Sequence, residues 1–252
     1  MPAATLRATR RCTLRPGSST VDSDRLARIA DAIGSRAGQD PATYPQQMCA
    51  AAADLLGMSG AGLTLMTESA PGAVWASDAV SRTVVDLQFA LGEGPALDAF
   101  DGGAPALEPS LAASTRWPFF GPQALALGVE AVFALPLQVG VICLGTVNLF
   151  RDSPGFLSRD ELADALVLAD VVTEDLIDLQ AQGMLHWAPS DHLGQRARVH
   201  QATGMVSVQI GADMTSALAR IRAYAYVNEL TIFDVADMVL ARTLRLPPHA
   251  LQ

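Results

Sequence analysis

Ala131-Val-Phe-Ala-Leu-Pro-Leu-Gln-Val-Gly-Val-Ile-Cys-Leu-Gly-Thr-Val-Asn-Leu-Phe150 is the stretch whose reading decides the fold. It is twenty residues long and carries no formal charge, the length and polarity of a membrane-spanning helix. Pro136, Gln138, Gly140, Gly145 and Asn148 interrupt it, however, and Val, Ile and Leu alternate around a glycine-containing centre. A period of two with a central turn signal predicts a buried β-hairpin turning around Gln138–Val141, not a membrane span.

Towards the N-terminus, Asp24–Arg36 and Tyr44–Leu56 read as helices, the first with Leu26, Ile29, Ala30 and Ile33 on one face. Gly62–Thr67 and Gly72–Ser77 read as strands joined by the turn Glu68–Pro71. A helix over about Val80–Phe89 leads into the loop Leu91-Gly-Glu-Gly-Pro95, with a strand at Ala104–Glu108 and a helix near Trp117–Leu127. That loop lacks the lysine and the glycine count of a phosphate-binding motif, so turn formation explains it. Residues 1–23 have four arginines and no periodicity, and are expected to be a disordered arm.

Towards the C-terminus, Ser158 followed by Glu161 is a capping box, opening a helix predicted to reach about Trp187. Its apolar residues cover more than one side, among them Leu162, Leu166, Val167, Val172, Leu176 and Ile177. One side is expected to pack on the sheet and another to meet a second copy of the chain. Pro189-Ser190-Asp191 then breaks the helix, and three short amphipathic helices follow: about His192–Gln209, Met214–Val227, and a third from the capping box Thr231/Asp234 to about Leu244. Met214, Ala217, Leu218, Ile221, Tyr224 and Ala225 are spaced to form one inward face of the second. Such helices joined by tight turns predict a compact bundle.

Composition narrows the chemistry. Half of the residues are hydrophobic, so ample material exists for two cores. The net charge of −9 is unevenly placed: residues 1–189 hold eleven arginines against twenty-one acids, whereas 190–252 hold six against five. Every basic residue is arginine, whose planar fork suits phosphate and base stacking. The four histidines, His186, His192, His200 and His249, all lie beyond the predicted sheet, with none before residue 186. A Ser-His or Cys-His catalytic pair is therefore unavailable there, and the expectation is a non-enzyme with no metal or cofactor. Cys12, Cys49 and Cys143 have no paired spacing, which fits a reducing cytoplasm.

On the last helices, Arg196, His200 and Thr203 line up at helical offsets, with Arg198 and Gln201 in an adjacent row. Arg222 and Tyr226 share an outer face of the second helix, with Arg220 beside them. Guanidinium groups for phosphate, an amide for base edges and a tyrosine for stacking are what an RNA loop requires. The same residues also suit an ordinary solvated helix surface, a DNA-binding helix-turn-helix, or a bundle that only dimerises or binds protein.

The segments His200-Gln-Ala-Thr-Gly-Met205, Ala217-Leu-Ala-Arg-Ile-Arg222 with Ala225, and Asp234-Val-Ala236 resemble the ANTAR pattern in order and spacing. Thr203 stands where that family usually has lysine, and Ile221 where it has leucine. Leu87–Pro95, Arg116-Trp-Pro118, Ala131–Leu137 and Leu144–Leu149 resemble the GAF family of sensory domains. The resemblances imply an α+β GAF domain over 24–187, an antiparallel sheet flanked by helices, followed by an all-α three-helix ANTAR bundle over 190–246 and a tail at 247–252. They also imply a cytoplasmic homodimer that senses a small molecule, binds stem-loops in leader RNA and prevents transcription termination. The RNA contacts would be Arg196, Arg198, Gln201, Thr203, Arg220, Arg222 and Tyr226. Some cyclic-nucleotide GAF domains carry an Asn-Lys pair; here Asn148 is followed by Leu149, which argues against that ligand.

Overall fold

The computed structural model describes residues 20–36, 43–66, 73–183 and 191–246. The predicted arm up to residue 19, the turn Glu68–Pro71 and the tail at 247–252 lie outside these, and the helix expected to reach Trp187 ends at Ala181, the chain turning through Gly183 at φ 65°. The uncharged stretch is a hairpin, β4 (Ala131–Val139) and β5 (Ile142–Arg151), at the centre of one antiparallel sheet. β1 (Gly60–Leu65), β2 (Val74–Ala76) and β3 (Ala106–Glu108) complete it in the order β2-β1-β5-β4-β3. Among the described residues, no helix is long and apolar enough to cross a membrane.

Both faces of the hairpin are covered over residues 131–137 and 145–150, whereas Val139, Val141 and Ile142 at its turn end are exposed. Phe133, Leu135, Leu137, Val147 and Leu149 join a core with α1 (Thr20–Arg36), α2 (Tyr44–Leu55) and α6 (Arg159–Ala181). On the opposite face Val132 and Phe150 pack with α3 (Ala79–Leu91) and α5 (Phe120–Ala126), and Ala134 packs with Ala99 of α4 (Pro95–Gly102). Arg25 and Arg28 of α1 clamp Asp164 of α6 at 2.6 and 2.7 Å, and the Tyr44 hydroxyl donates to Asp175 at 3.0 Å. The capping box at Ser158 and Glu161 starts α6 as predicted. Leu166 and Ile177 remain exposed on it.

α4 was not predicted. The stretch Gly92-Glu-Gly-Pro95 does form a turn, but its proline is the first residue of a new helix, where a missing N–H costs nothing. The helix expected from Trp117 begins only at Phe120, after a 3-10 turn at Leu111–Ala113.

α3 sits unusually near β1 because Gly62 faces it: a Cβ there would lie 2.5 Å from Val85 Cγ2. The helix begins at Asp78, whose carboxylate accepts from the Ser81 N–H at 2.9 Å. Burial pushes the Asp78 carboxyl up, but hydrogen bonds from Ser77 and Ser81 together outweigh it and leave the acid stronger than usual. A carboxyl with a depressed folded pKa stabilises above its unfolded value, about 3.9, and loses that contribution as pH falls through the folded value. Asp78→Ala is therefore expected to cost about 1 kcal/mol at pH 7. The deficit should shrink towards pH 3 in thermal melts, and a deficit independent of pH would contradict it.

The last module is three helices, α7 (Asp191–Ile210), α8 (Met214–Val227) and α9 (Ile232–Leu240), around one apolar cluster. Val199, Ala202, Val206, Ala217, Ile221, Ala225, Ile232, Val235, Ala236 and Val239 are buried in it. Asp213 caps α8, and Thr231 with Asp234 boxes the start of α9, both as read from sequence. Met214, expected inside, is exposed. α9 stops at Leu240, short of Leu244, as the chain turns through Arg242 at φ 58°.

Candidate functional site

The candidate site lies where α7, α8 and α9 meet the C-terminal half of α3. Phe89 projects from α3 into the bundle and joins its apolar cluster. The Arg196 guanidinium lies 4.4 Å above the ring centroid. Phe233 stacks at 6.4 Å and His200 tilts against the ring at 6.2 Å. Arg196 also donates to Asp86 of α3 at 2.8 Å, with only 4% of its side chain exposed. Asp86 takes a second guanidinium from Arg82, one helical turn earlier, at 3.0 Å.

Arg222 of α8 donates from Nη2 to the Phe89 carbonyl at 2.8 Å. That carbonyl belongs to the last turn of α3, where helix oxygens lack intrahelical partners and carry partial negative charge. α3 has no basic residue of its own in that turn, so Arg222 supplies the cation from another element. Room for it comes from Gly92 at φ 71°: a Cβ there would sit 2.6 Å from Arg222 Cζ. Farther out, Tyr226 meets Phe119 edge to face at 5.0 Å.

This corrects the expected solvent face. Arg196 and Thr203 are buried, the latter only 1% exposed with its hydroxyl donating to the Val199 carbonyl at 2.7 Å. Arg222 is half-buried. Tyr226 stays exposed but leans on Phe119. Arg198 and Gln201 do face water, Arg198 pairing with the exposed Asp237 at 2.5 Å, and Arg220 is half-buried. Gln201 lines an open groove with Arg242 and Arg245, two cations that the sequence reading passed over. The predicted set thus divides between a group covered by α3 (Arg196 and Arg222), the buried Thr203, the half-buried Arg220, and residues that stay open (Arg198, Gln201 and Tyr226). Asp86, Phe89 and Phe119 were also missed as site residues, since nothing local marks them as contacts for a bundle a hundred residues away.

Electrostatically the covered group is under strain. Burial pulls the Arg196 guanidinium below its ordinary pKa, and Asp86 offsets this only in part; burial lowers Arg222 likewise. His200 is held towards its neutral form by burial first, then by the positive charges of Arg196 and Arg222. Among the described residues, the buried Nε atoms of Arg196 and Arg222 have no hydrogen-bond partner.

Gln88, next to Phe89, reaches the other way, under the sheet. Its carbonyl accepts from the Ala96 N–H at 2.7 Å, and its amide faces Asn148 at 3.5 Å, which in turn donates to Thr146 at 3.3 Å. All three side chains are buried, with Thr64 Oγ1 left unpartnered on the same face. One turn of α3 therefore touches both the polar underside of the sheet and the arginines of the bundle.

No protein-family model and no curated protein sequence matches the chain. Solved structures do. The GAF domain of an Acinetobacter phosphoenolpyruvate-protein phosphotransferase aligns with TM-score 0.50 at 14% identity, over 66% of this chain and 99% of that one. The GAF domain of the corresponding Coxiella burnetii enzyme aligns with TM-score 0.51, also at 14% identity, over 65% of this chain and 97% of that one. The sheet domain has the GAF fold. At this identity the likeness extends to fold alone, and it leaves a third of the chain unmatched.

Proposed function

We propose that the protein is a sensor-coupled RNA-binding regulator, in which the GAF domain receives a small-molecule signal and the three-helix bundle binds stem-loops in leader RNA to prevent transcription termination. The observation that carries the reading is that Arg196 and Arg222, from adjacent helices, both meet the C-terminal half of α3: Arg196 on the Phe89 ring and the Asp86 carboxylate, Arg222 on the Phe89 carbonyl. A planar cation over a π-face with a second on a nearby oxygen is suited to a phosphate and a stacked base. The order of the ANTAR-like segments along α7, α8 and α9 supports it further. On the sensor side, a ligand reaching the Thr146–Asn148–Gln88 string would act on α3 directly. A homodimer through the exposed Leu166 and Ile177 of α6 belongs to the same reading.

Sequencing of RNA crosslinked to the protein in its own cells tests the class. Two adjacent stem-loops upstream of terminators are the expected recovery, and random transcripts would count against it. In vitro, Arg198→Ala is the informative variant because Arg198 is exposed and pairs with the exposed Asp237. It should weaken binding to a synthetic two-hairpin RNA by about three- to tenfold and reduce the salt slope by about 1. Equal or tighter binding to duplex DNA would favour a helix-turn-helix regulator instead.

A further inference from the structure

We propose that the C-terminal turn of α3 is a built-in occupant of the bundle's RNA face, presenting a carboxylate, an aromatic ring and a carbonyl where RNA would present phosphate, base and acceptor oxygen. The proposal rests on the RNA-binding reading above and adds how that face is controlled.

Each contact has the chemistry of its substitute. Asp86 gives Arg196 one carboxylate oxygen at 2.8 Å, as a phosphate oxygen would, while its other oxygen takes Arg82. Phe89 offers Arg196 and His200 a flat π-surface, as a stacked base would. The Phe89 carbonyl sits at the negative end of α3 and holds Arg222 at 2.8 Å. The acidic balance of residues 1–189 against the nearly neutral C-terminal part favours the same docking over long range.

The fit is incomplete in a way that suits a releasable contact. Among the described residues, both guanidiniums keep a buried Nε donor without a partner, which a phosphate fork would satisfy. Clefts of about 530 and 500 Å³ flank Arg222, the first lined by Glu93, Asp98 and Trp117, the second by Leu87, Leu91 and Phe233. The turn is also placed to respond, since Gln88 in the same turn is bonded beneath the sheet.

The test uses the full chain with two variants. Asp86→Ala removes the phosphate substitute. Gly92→Ala leaves every charge in place but puts a methyl group against the Arg222 guanidinium at a backbone angle that L-residues resist. The probes are a synthetic two-hairpin RNA and heparin, an anion without bases, with amide exchange followed along α3 and α7. Both variants should show faster exchange at the end of α3, unchanged protection in the sheet, and at least tenfold tighter RNA binding. Faster exchange and tighter heparin binding without any gain for RNA would uphold the latch and overturn the RNA reading. Unchanged exchange and affinity, or weaker binding, would overturn the latch, because α3 would then be only a structural support. If Asp86→Ala loses sheet protection, Gly92→Ala decides between these results.

Discussion

Gly145→Val unfolds the sheet domain: that is the largest effect expected of any single substitution in this chain. Gly145 lies on β5 opposite Leu65 of β1. A Cβ there would overlap the Thr64 carbonyl oxygen and come within 2.9 Å of Leu65 Cα. Both obstacles are backbone, so no rotamer change relieves them. The two strands would have to separate where β1 joins the hairpin, and β2 with its packing on β1 would go with them. The loss should exceed about 4 kcal/mol, the range reserved for substitutions with a specific structural cause. Urea denaturation followed by circular dichroism reads it. Gly102→Ala is the control: a Cβ there meets nothing within 4 Å, and its midpoint should stay near that of the unsubstituted protein. A stable, cooperatively folding Gly145→Val protein would show that the register of β1 against β5 is wrong.

Thr203→Lys restores the residue of the ANTAR resemblance and is nonetheless expected to destabilise this protein. From sequence, the position belonged to a solvent-facing row with Arg196 and His200, and lysine there would only add a cation for RNA. In the structure Thr203 is buried and its hydroxyl is satisfied by the Val199 carbonyl. A lysine at that place has a longer side chain to house and would have to displace its neighbours or reach for water. Burying it unpaired costs several kcal/mol, so a loss of about 3 kcal/mol in the stability of the arrangement is expected. Thermal melts would show a lowered transition, with faster amide exchange in α7. A melting curve matching that of threonine would mean that the position is open in solution and that α7 is rotated from its described setting.

These two cases show which inferences the linear chain supports. The hairpin was legible because alternation over twenty uncharged residues has few solutions, and Pro136 and the glycines removed the helical one. The bundle was legible because Ala217, Ile221 and Ala225 repeat at helical spacing, and because Asp213 and Thr231 with Asp234 announce helix starts. α4 was not, since Gly-Glu-Gly-Pro carries a turn signal strong enough to hide a helix of eight residues behind it. The covering of Arg196 and Arg222 was not legible either. Helical spacing orients a residue about its own helix axis, and it says nothing of what another domain lays over that side.

The sequence by itself determined the elements other than α4, the caps of α6, α8 and α9, most of the inward faces of the bundle and the presence of arginines suited to an anion. All of these follow from local periodicity and hydrogen-bonding chemistry within a few residues. Only the tertiary structure decided that Phe89 enters the bundle, that Asp86 and a helix-end carbonyl occupy the two arginines, and that Gly92 makes room for one of them. Those contacts join residues more than a hundred positions apart, where shape and charge in three dimensions, and no repeat in the chain, select the partner.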